Sequence, residues 1–254
     1  MSVTSSVGSA QINNGFSGQF YFPYSIGLLQ AYFLKHSNNP RRYCFTPTIY
    51  KRIPLSEIVN QLVGRDVVLF SVYVWNINIS IEVARELKLR NHEVFIIFGG
   101  PSVPDSAKEF LLSNNCIDVA CHQEGERTLT SILDKFPNLS WQDTPGISYI
   151  DNKGEFQTNV GLPRMKDVSE IPSPYLEKIF DPLIKENQTE KWLASWETNR
   201  GCPFHCTFCA DGKDEVNQVN SFSTERVKEE LDYIVKHKHG NTRNMIFSLS
   251  LIHI

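Results

Sequence analysis

The chain has 254 residues, 41% hydrophobic and 21% charged, with a formal net charge of −3. These proportions exclude a disordered or fibrous chain, and the charge gives no bulk drive towards nucleic acid or an acidic membrane surface. The length suits one large domain or two of ordinary size.

Six cysteines, three of them clustered, do not make a secreted disulfide framework. Met1-Ser-Val-Thr-Ser-Ser is not a basic region followed by an apolar core, so no signal peptide is read there. The richest apolar run, Val67 to Val74, falls short of the ~18 to 20 residues that span a bilayer. A reduced, cytoplasmic setting is therefore expected, with no membrane or nucleic-acid partner.

Residues 1 to about 24 are rich in Ser, Asn and Gly, with a short strand expected over Val7–Ile12. Tyr24-Ser25-Ile26-Gly27 opens a helix in which Leu28, Leu29, Tyr32 and Phe33 recur at helical spacing, ended by Asn38-Asn39-Pro40. Arg42 to Phe45 suits a strand. Leu55, Ile58, Val59 and Leu62 sit at i, i+3, i+4 and i+7 of an amphipathic helix.

Val67 to Val72 is a continuous apolar run, as expected of a strand buried on both faces of a parallel sheet. A helix carrying Ile79, Val83 and Leu87 follows, then a second buried strand, Val94 to Phe98, ending in Gly99-Gly100-Pro101-Ser102. Asp105 suits the N-cap of the next helix, which buries Ala107, Phe110 and Leu111. Asp118 to Cys121 is strand-like. Gln123-Glu124-Gly125-Glu126 then turns into a helix with Leu129, Ile132, Leu133 and Phe136 on one face.

Strands alternating with helices predict an open, doubly wound parallel sheet of about five strands. Such sheets bind ligands at the carboxyl ends of their strands. The expected lip is Ser71–Asn76, Gly99–Ser102 and Glu124–Glu126.

Further on, Gly146 to Ile150 and Glu155 to Gln157 flank the polar turn Asp151-Asn152-Lys153-Gly154 and predict a hairpin. The prolines around Ser173 and the polar run Lys185–Lys191 mark a connector, in which Tyr175 and Phe180 are expected to pack between domains. Trp192 to Glu197 is expected as the first strand of a second unit. Ser223 or Thr224 can cap a helix burying Val227, Leu231, Ile234 and Val235, and Met245–Ser248 begins another strand.

Between those strands stands Arg200-Gly201-Cys202-Pro203-Phe204-His205-Cys206-Thr207-Phe208-Cys209. Three thiolates at Cys-x3-Cys-x2-Cys can converge on one soft centre. A tetrahedral zinc site usually closes with four protein ligands, so three cysteines suit a cubane with one open iron. A zinc site completed by His205 or His122 is the alternative.

Cys-x3-Cys-x-aromatic-Cys after Arg-Gly resembles the radical S-adenosylmethionine (SAM) signature. The resemblance implies that Cys202, Cys206 and Cys209 hold a 4Fe-4S cluster whose open iron is chelated by SAM, with Phe208 beside the adenine. Reductive cleavage of SAM would then yield a 5′-deoxyadenosyl radical. The stretches Pro23–Gly27, Ser71–Asn76, Gly99–Ser102 and Glu124–Glu126 resemble the cobalamin-binding domain that precedes the barrel in B12-type radical SAM proteins. Ile171–Leu176 and Glu197–Cys202 resemble that family's linker and opening strand.

The implied fold is a flavodoxin-like cobalamin-binding domain over 1–140, a connector with hairpin over 141–190, and the start of a partial (β/α) barrel over 191–248. The implied cobalamin contacts are Ser71, Tyr73, Trp75, Asn76, Gly99, Gly100, Pro101, Ser102, Glu124, Gly125 and Glu126. Asp-x-His-x-x-Gly does not occur in this sequence, so cobalamin would bind without a histidine ligand. Where Gly-Glu-Gly-Glu is common in the family, this chain has Gln123-Glu124-Gly125-Glu126.

The implied activity is methyl transfer to an unactivated carbon of a small-molecule or peptide substrate, with an electron donor such as flavodoxin or ferredoxin. A corrinoid-binding regulatory module and a zinc-stabilised interaction protein are the alternatives. Leu249 to Ile254 reads as a translated sequencing adapter. The chain is accordingly expected to be a truncated piece that is inactive by itself.

Overall fold

The computed structural model describes residues 4–138, 141–204, 218–236 and 244–248. The chain begins with β1 (Ser5–Asn13), β2 (Gln19–Tyr21), α1 (Tyr24–His36), β3 (Tyr43–Phe45), β4 (Ile49–Lys51) and α2 (Leu55–Leu62). Next come β5 (Val67–Ser71), α3 (Ile77–Arg90), β6 (Phe95–Gly99), α4 (Lys108–Ser113), β7 (Val119–Cys121) and α5 (Gly125–Lys135). The rest comprises β8 (Ile147–Ile150), β9 (Phe156–Thr158), α6 (Asp181–Glu186), β10 (Lys191–Glu197), β11 (Asn199–Arg200), β12 (Asn220–Ser221), α7 (Thr224–Lys236) and β13 (Asn244–Ser248).

Among the described residues, eight strands form the main sheet in the order β3-β1-β5-β6-β7-β8-β9, with β4 also paired to β1. Pairing is parallel from β3 to β7, with Val67 opposite Phe95 and Phe70 opposite Phe98. Successive side chains of a strand point to opposite faces. Val68, Phe70, Ile96 and Phe98 therefore enter one core with Ile58, Val59, Val83 and Leu87 from α2 and α3. Val67, Leu69, Phe95 and Ile97 enter the other, with Ile26, Phe33, Leu129 and Ile132 from α1 and α5. Both faces are covered, which is why these strands read as unbroken apolar runs.

The sheet is wider than the five strands expected. The hairpin β8–β9, read from sequence as part of the connector, pairs antiparallel with β7 through Ala120↔Ser148 and Cys121↔Ile147. On the other side β3 falls within the strand expected over Arg42 to Phe45, while β4 has only three residues, too few to show a period. Asp105 does not cap α4: the helix starts at Lys108 with Ala107 at its N-cap position and no side-chain cap.

Beyond the sheet, β2, β10 and β13 form a second, all-parallel sheet in the order β13-β10-β2. Its strand β2 was not expected from the sequence. A third core joins the two sheets. Tyr24, Leu28 and Tyr32 of α1 meet Tyr175, Phe180, Trp192 and Trp196 there, with Phe22 stacked on Trp192 at 4.7 Å. Helix α1 thus buries two faces, one to each unit. Gly27 makes this possible, because a Cβ there would lie 2.4 Å from the Phe180 ring. Tyr175 and Phe180 pack between the units, as expected. Ser223 Oγ accepts from Arg226 N at 3.2 Å and caps α7. Of its expected buried positions, Val235 is 52% exposed, since it lies at the edge of the stripe formed by Val227, Leu231 and Ile234.

Candidate functional site

The carboxyl ends of β5 and β6 build the lip. Asn76 is fully buried and pins the turn after β5: its Oδ1 accepts from Tyr73 N at 2.7 Å, and its Nδ2 donates to Ser71 O at 3.1 Å. The buried Asn76 thereby sets the path of Tyr73, Val74 and Trp75. Tyr73 and Trp75 stack at 4.6 Å with an interplanar angle of 9°. The Tyr73 hydroxyl bonds Ser25 at 2.7 Å, tying the turn to α1, and the Trp75 indole donates to Asn13 Oδ1 at 3.1 Å. Burial raises the Tyr73 phenol above its ordinary pKa, against the lowering effect of the Ser25 hydrogen bond. Arg52 donates to the Trp75 carbonyl. The result is a fixed turn that leaves Val74 81% and Trp75 47% exposed.

Gly99 and Gly100 differ in why they are glycine. Gly100 has φ +112°, and a Cβ there would lie 2.7 Å from the Val72 carbonyl oxygen. Only glycine fits this approach. Ser102 N, two residues on, donates to the same carbonyl at 3.2 Å. At Gly99 a Cβ would make only an ordinary 3.6 Å contact with Cys121. Packing therefore demands Gly100 and does not demand Gly99. A flat ligand resting on the backbone would. Pro101 is exposed beside them.

The third part of the lip lies at the start of α5. Gln123 has φ +59° and Gly125 is the first helical residue. The carboxylates on either side of Gly125 are engaged by cations. Glu126 is fully buried, with Oε1 2.7 Å from Arg200 Nη1, although neither of its oxygens receives a well-aligned hydrogen bond. Glu124 Oε1 lies 3.4 Å from Arg200 Nη1 and 3.5 Å from Arg164 Nε, while its Oε2 accepts from Met165 N at 2.8 Å.

Arg200 itself is 2% exposed. Its Nε and Nη2 donate to the two Glu197 oxygens at 2.9 and 3.1 Å, a forked pair at the end of β10. Burial would lower the pKa of Arg200, but Glu126 and Glu197 outweigh it and hold the guanidinium above its ordinary value. Burial likewise raises the Glu197 carboxyl, against the pull of Arg200.

Two residues after Arg200 comes Cys202, a free and partly exposed cysteine. The root of this segment is closed by the antiparallel pair β11–β12, in which Arg200 faces Asn220, and by the Phe222 N donation to Thr198 O at 3.1 Å. Gly201 has φ +111°, and a Cβ there would collide with the Gln218 carbonyl at 2.1 Å. Cys206, Phe208, Cys209 and His205 lie outside the described residues, as do Leu249–Ile254. Among the described residues no group of three metal-ligating side chains forms.

The other titratable group near the lip, His122, bonds Ser148 Oγ through Nε2 at 2.8 Å. Burial lowers its pKa, against Asp105. Sequence reasoning missed Arg200 and Arg164 as partners of Glu124 and Glu126, and Glu197 as a further acid on Arg200. The signal was slight: an acid and a base three apart, just before the cysteines.

Residues 49–133 match the family model of the B12 binding domain, from β4 into α5. The chain is 30% identical over 223 residues to "Cobalamin-dependent radical SAM methyltransferase TokK" of Streptomyces tokunonensis, a match covering 85% of this chain and 32% of that protein. It is 29% identical over 221 residues to "2-(S-pantetheinyl)-carbapenam-3-carboxylate methyltransferase" of Streptantibioticus cattleyicolor, again covering 85% of this chain and 32% of that protein. The chain thus spans about a third of the length of the curated relatives it matches. In fold it is similar to OxsB, a cobalamin-dependent SAM radical enzyme solved with aqua-cobalamin and SAM, with a TM-score of 0.73 and 22% identity over 96% of this chain and 34% of that one. Among the described residues, no helix is long and apolar enough to cross a membrane. The lip lies inside the match to the B12 binding domain, and the chain is similar over most of its length to cobalamin-dependent radical SAM methyltransferases.

Proposed function

We propose that this chain is the cofactor-binding part of an enzyme that uses cobalamin, a 4Fe-4S cluster and SAM to methylate an unactivated carbon. The observation that carries this is adjacency. Arg200, two residues before Cys202, is ion-paired with Glu126 and Glu124 in the lip, which supports a site shared by the cysteines and the lip. The donor sets suit the groups. Three soft thiolates, Cys202, Cys206 and Cys209, would hold the cluster and leave one iron to SAM, with Phe208 beside the adenine. Cobalamin would rest on the lip, where Gly99 bares the backbone and Val74 and Trp75 offer apolar surface.

When bound, the cluster supplies the electron that cleaves SAM, and cobalamin supplies the methyl group. The chain's own work is placement and exclusion of water, since the cofactors carry the hard chemistry. Ser71, Tyr73 and Asn76 fix the turn under Trp75. Pro101 and Ser102 hold the Gly99–Gly100 turn, while Glu124, Gly125 and Glu126 set the third edge. The substrate is a small molecule or peptide, the reductant a donor such as flavodoxin or ferredoxin, and the setting the reducing cytoplasm.

The test is anaerobic reconstitution with iron, sulfide and cobalamin, followed by electron paramagnetic resonance of the reduced protein with and without SAM. A four-iron signal that shifts with SAM and vanishes in Cys206→Ala is expected, together with stoichiometric cobalamin. Retention of one zinc and no iron would overturn the proposal.

A further inference from the structure

The buried Arg200 is more than a salt bridge within one unit. Its guanidinium is shared by three parts of the chain. Glu197 at the end of β10 takes its forked face at 2.9 and 3.1 Å. Glu126 in the first turn of α5 takes Nη1 at 2.7 Å. Glu124 lies 3.4 Å from the same nitrogen and also accepts from Met165 N of the connector at 2.8 Å. Arg127 and Arg164 stand 4.0 and 3.5 Å from Glu124, so three carboxylates face three guanidiniums. Of these, Arg200, Glu126 and Glu197 are each at most 2% exposed.

Such a cluster is a poor choice for stability alone. Desolvating buried ions costs several kcal/mol each, and apolar residues of similar volume often do as well or better. What a shared, planar, bidentate cation does provide is geometry, because a guanidinium fork accepts carboxylates in only a few directions. Arg200 is followed at once by Gly201, whose φ of +111° and tight approach to Gln218 leave the backbone little room to adjust, and then by Cys202. Any rotation of Arg200 is therefore carried to Cys202.

We propose that Arg200 is a positioning residue that sets Cys202 in register with the lip, with Glu126 as its anchor in α5 and Glu197 as its anchor in β10. This rests on the function proposed above, in which cluster and cobalamin must face one substrate. Lysine cannot replace Arg200 fully, because a point charge can meet Glu126 or Glu197 but not fork to both. Glutamine at 126 keeps the shape and removes the charge.

Two measurements on the full chain test this, one with cofactors and one without. In protein loaded with cobalamin and a reconstituted cluster, pulsed dipolar spectroscopy reads the separation of cob(II)alamin from the reduced cluster. Glu126→Gln and Arg200→Gln should broaden the distance distribution among molecules that carry both cofactors, with Arg200→Lys intermediate.

In cofactor-free protein, amide exchange along β11 and β12 should rise about tenfold or more in Glu126→Gln, although Glu126 lies in the other unit. A parent-like distance distribution, or exchange that rises only within α5, would overturn the positioning role. Parent protein that binds neither cluster nor cobalamin would instead overturn the proposed function, and the exchange result would still decide whether Arg200 transmits between units.

Discussion

The parallel sheet and the junction beside the cysteine loop are equally buried and held together differently. In the sheet, aliphatic and aromatic side chains from β5 and β6 interleave with helices on both faces. At the junction, rings from α1, the connector and β10 surround a buried cluster of charges. Aliphatic packing is short-ranged and tolerant, so a lost methylene is partly filled by its neighbours. A buried charge network is neither, since removing one partner strands the others in a medium that cannot solvate them. The sheet can therefore accept sequence change while keeping its shape, whereas the junction holds one geometry or loses it.

The largest effect should fall on the junction. Arg200→Gln leaves Glu126 and Glu197 buried without their shared cation and should destabilise the chain by about 3–5 kcal/mol in denaturant titration. A loss under about 1 kcal/mol, the range of exposed pairs, would show that the cluster is hydrated in solution.

Next in size is the turn in the lip. Gly100→Ala forces a residue with a Cβ to φ +112° against the Val72 backbone, and should cost at least about 1–3 kcal/mol. Gly99→Ala should change stability by less than about 1 kcal/mol, since glycine in a strand is itself unfavourable. It should nevertheless weaken cobalamin uptake, read by the absorbance of the bound corrinoid. Equal behaviour of the two variants would remove the distinction between a folding glycine and a ligand glycine.

The sheet's tolerance is checked by Ile96→Val, a fully buried position in β6, for which about 0.5–1.5 kcal/mol is expected. A smaller, pH-dependent effect belongs to His122. Its folded pKa is depressed, so between that value and the ordinary 6.5 the unfolded chain binds more protons. Stability contributed by the neutral imidazole is complete above the ordinary value and is lost as pH falls through the depressed one. Denaturant titrations from pH 7.5 to 5 should show this decline, and His122→Gln should flatten it.

The smallest effect sharpens the account of the junction. The Tyr24 hydroxyl is buried without a hydrogen bond, and its pKa is raised chiefly by burial and further by Glu197 and Glu230. Tyr24→Phe should be neutral or slightly stabilising, since removal of an unsatisfied buried group recovers its desolvation cost. A clear loss in thermal unfolding would point to a partner for that hydroxyl.

The regular parts of the fold were legible in the sequence because their patterns are local. Val67–Val72 and Val94–Phe98 read as strands from unbroken apolar runs, and α2 read from four residues on one stripe. Strands of two or three residues, such as β2, β4 and β11, show no period and become strands only when a partner offers its edge. The β8–β9 hairpin was visible as a hairpin, but nothing in its residues told that its neighbour would be β7.

The same division runs through the site. The cysteine spacing, the Gly-Gly pair and the Glu-Gly-Glu turn stand in the sequence, since each is a short stretch whose chemistry depends on nearby residues. What Glu124 and Glu126 touch is another matter. From sequence they belonged to the lip, and the fold brings Arg200, from 74 residues after Glu126, between them and Glu197. Which residues could bind a metal or bare a backbone was determined by the amino-acid sequence itself. Which charges meet was decided by the tertiary structure, because a buried ion must find its counter-ion wherever the packed chain places one.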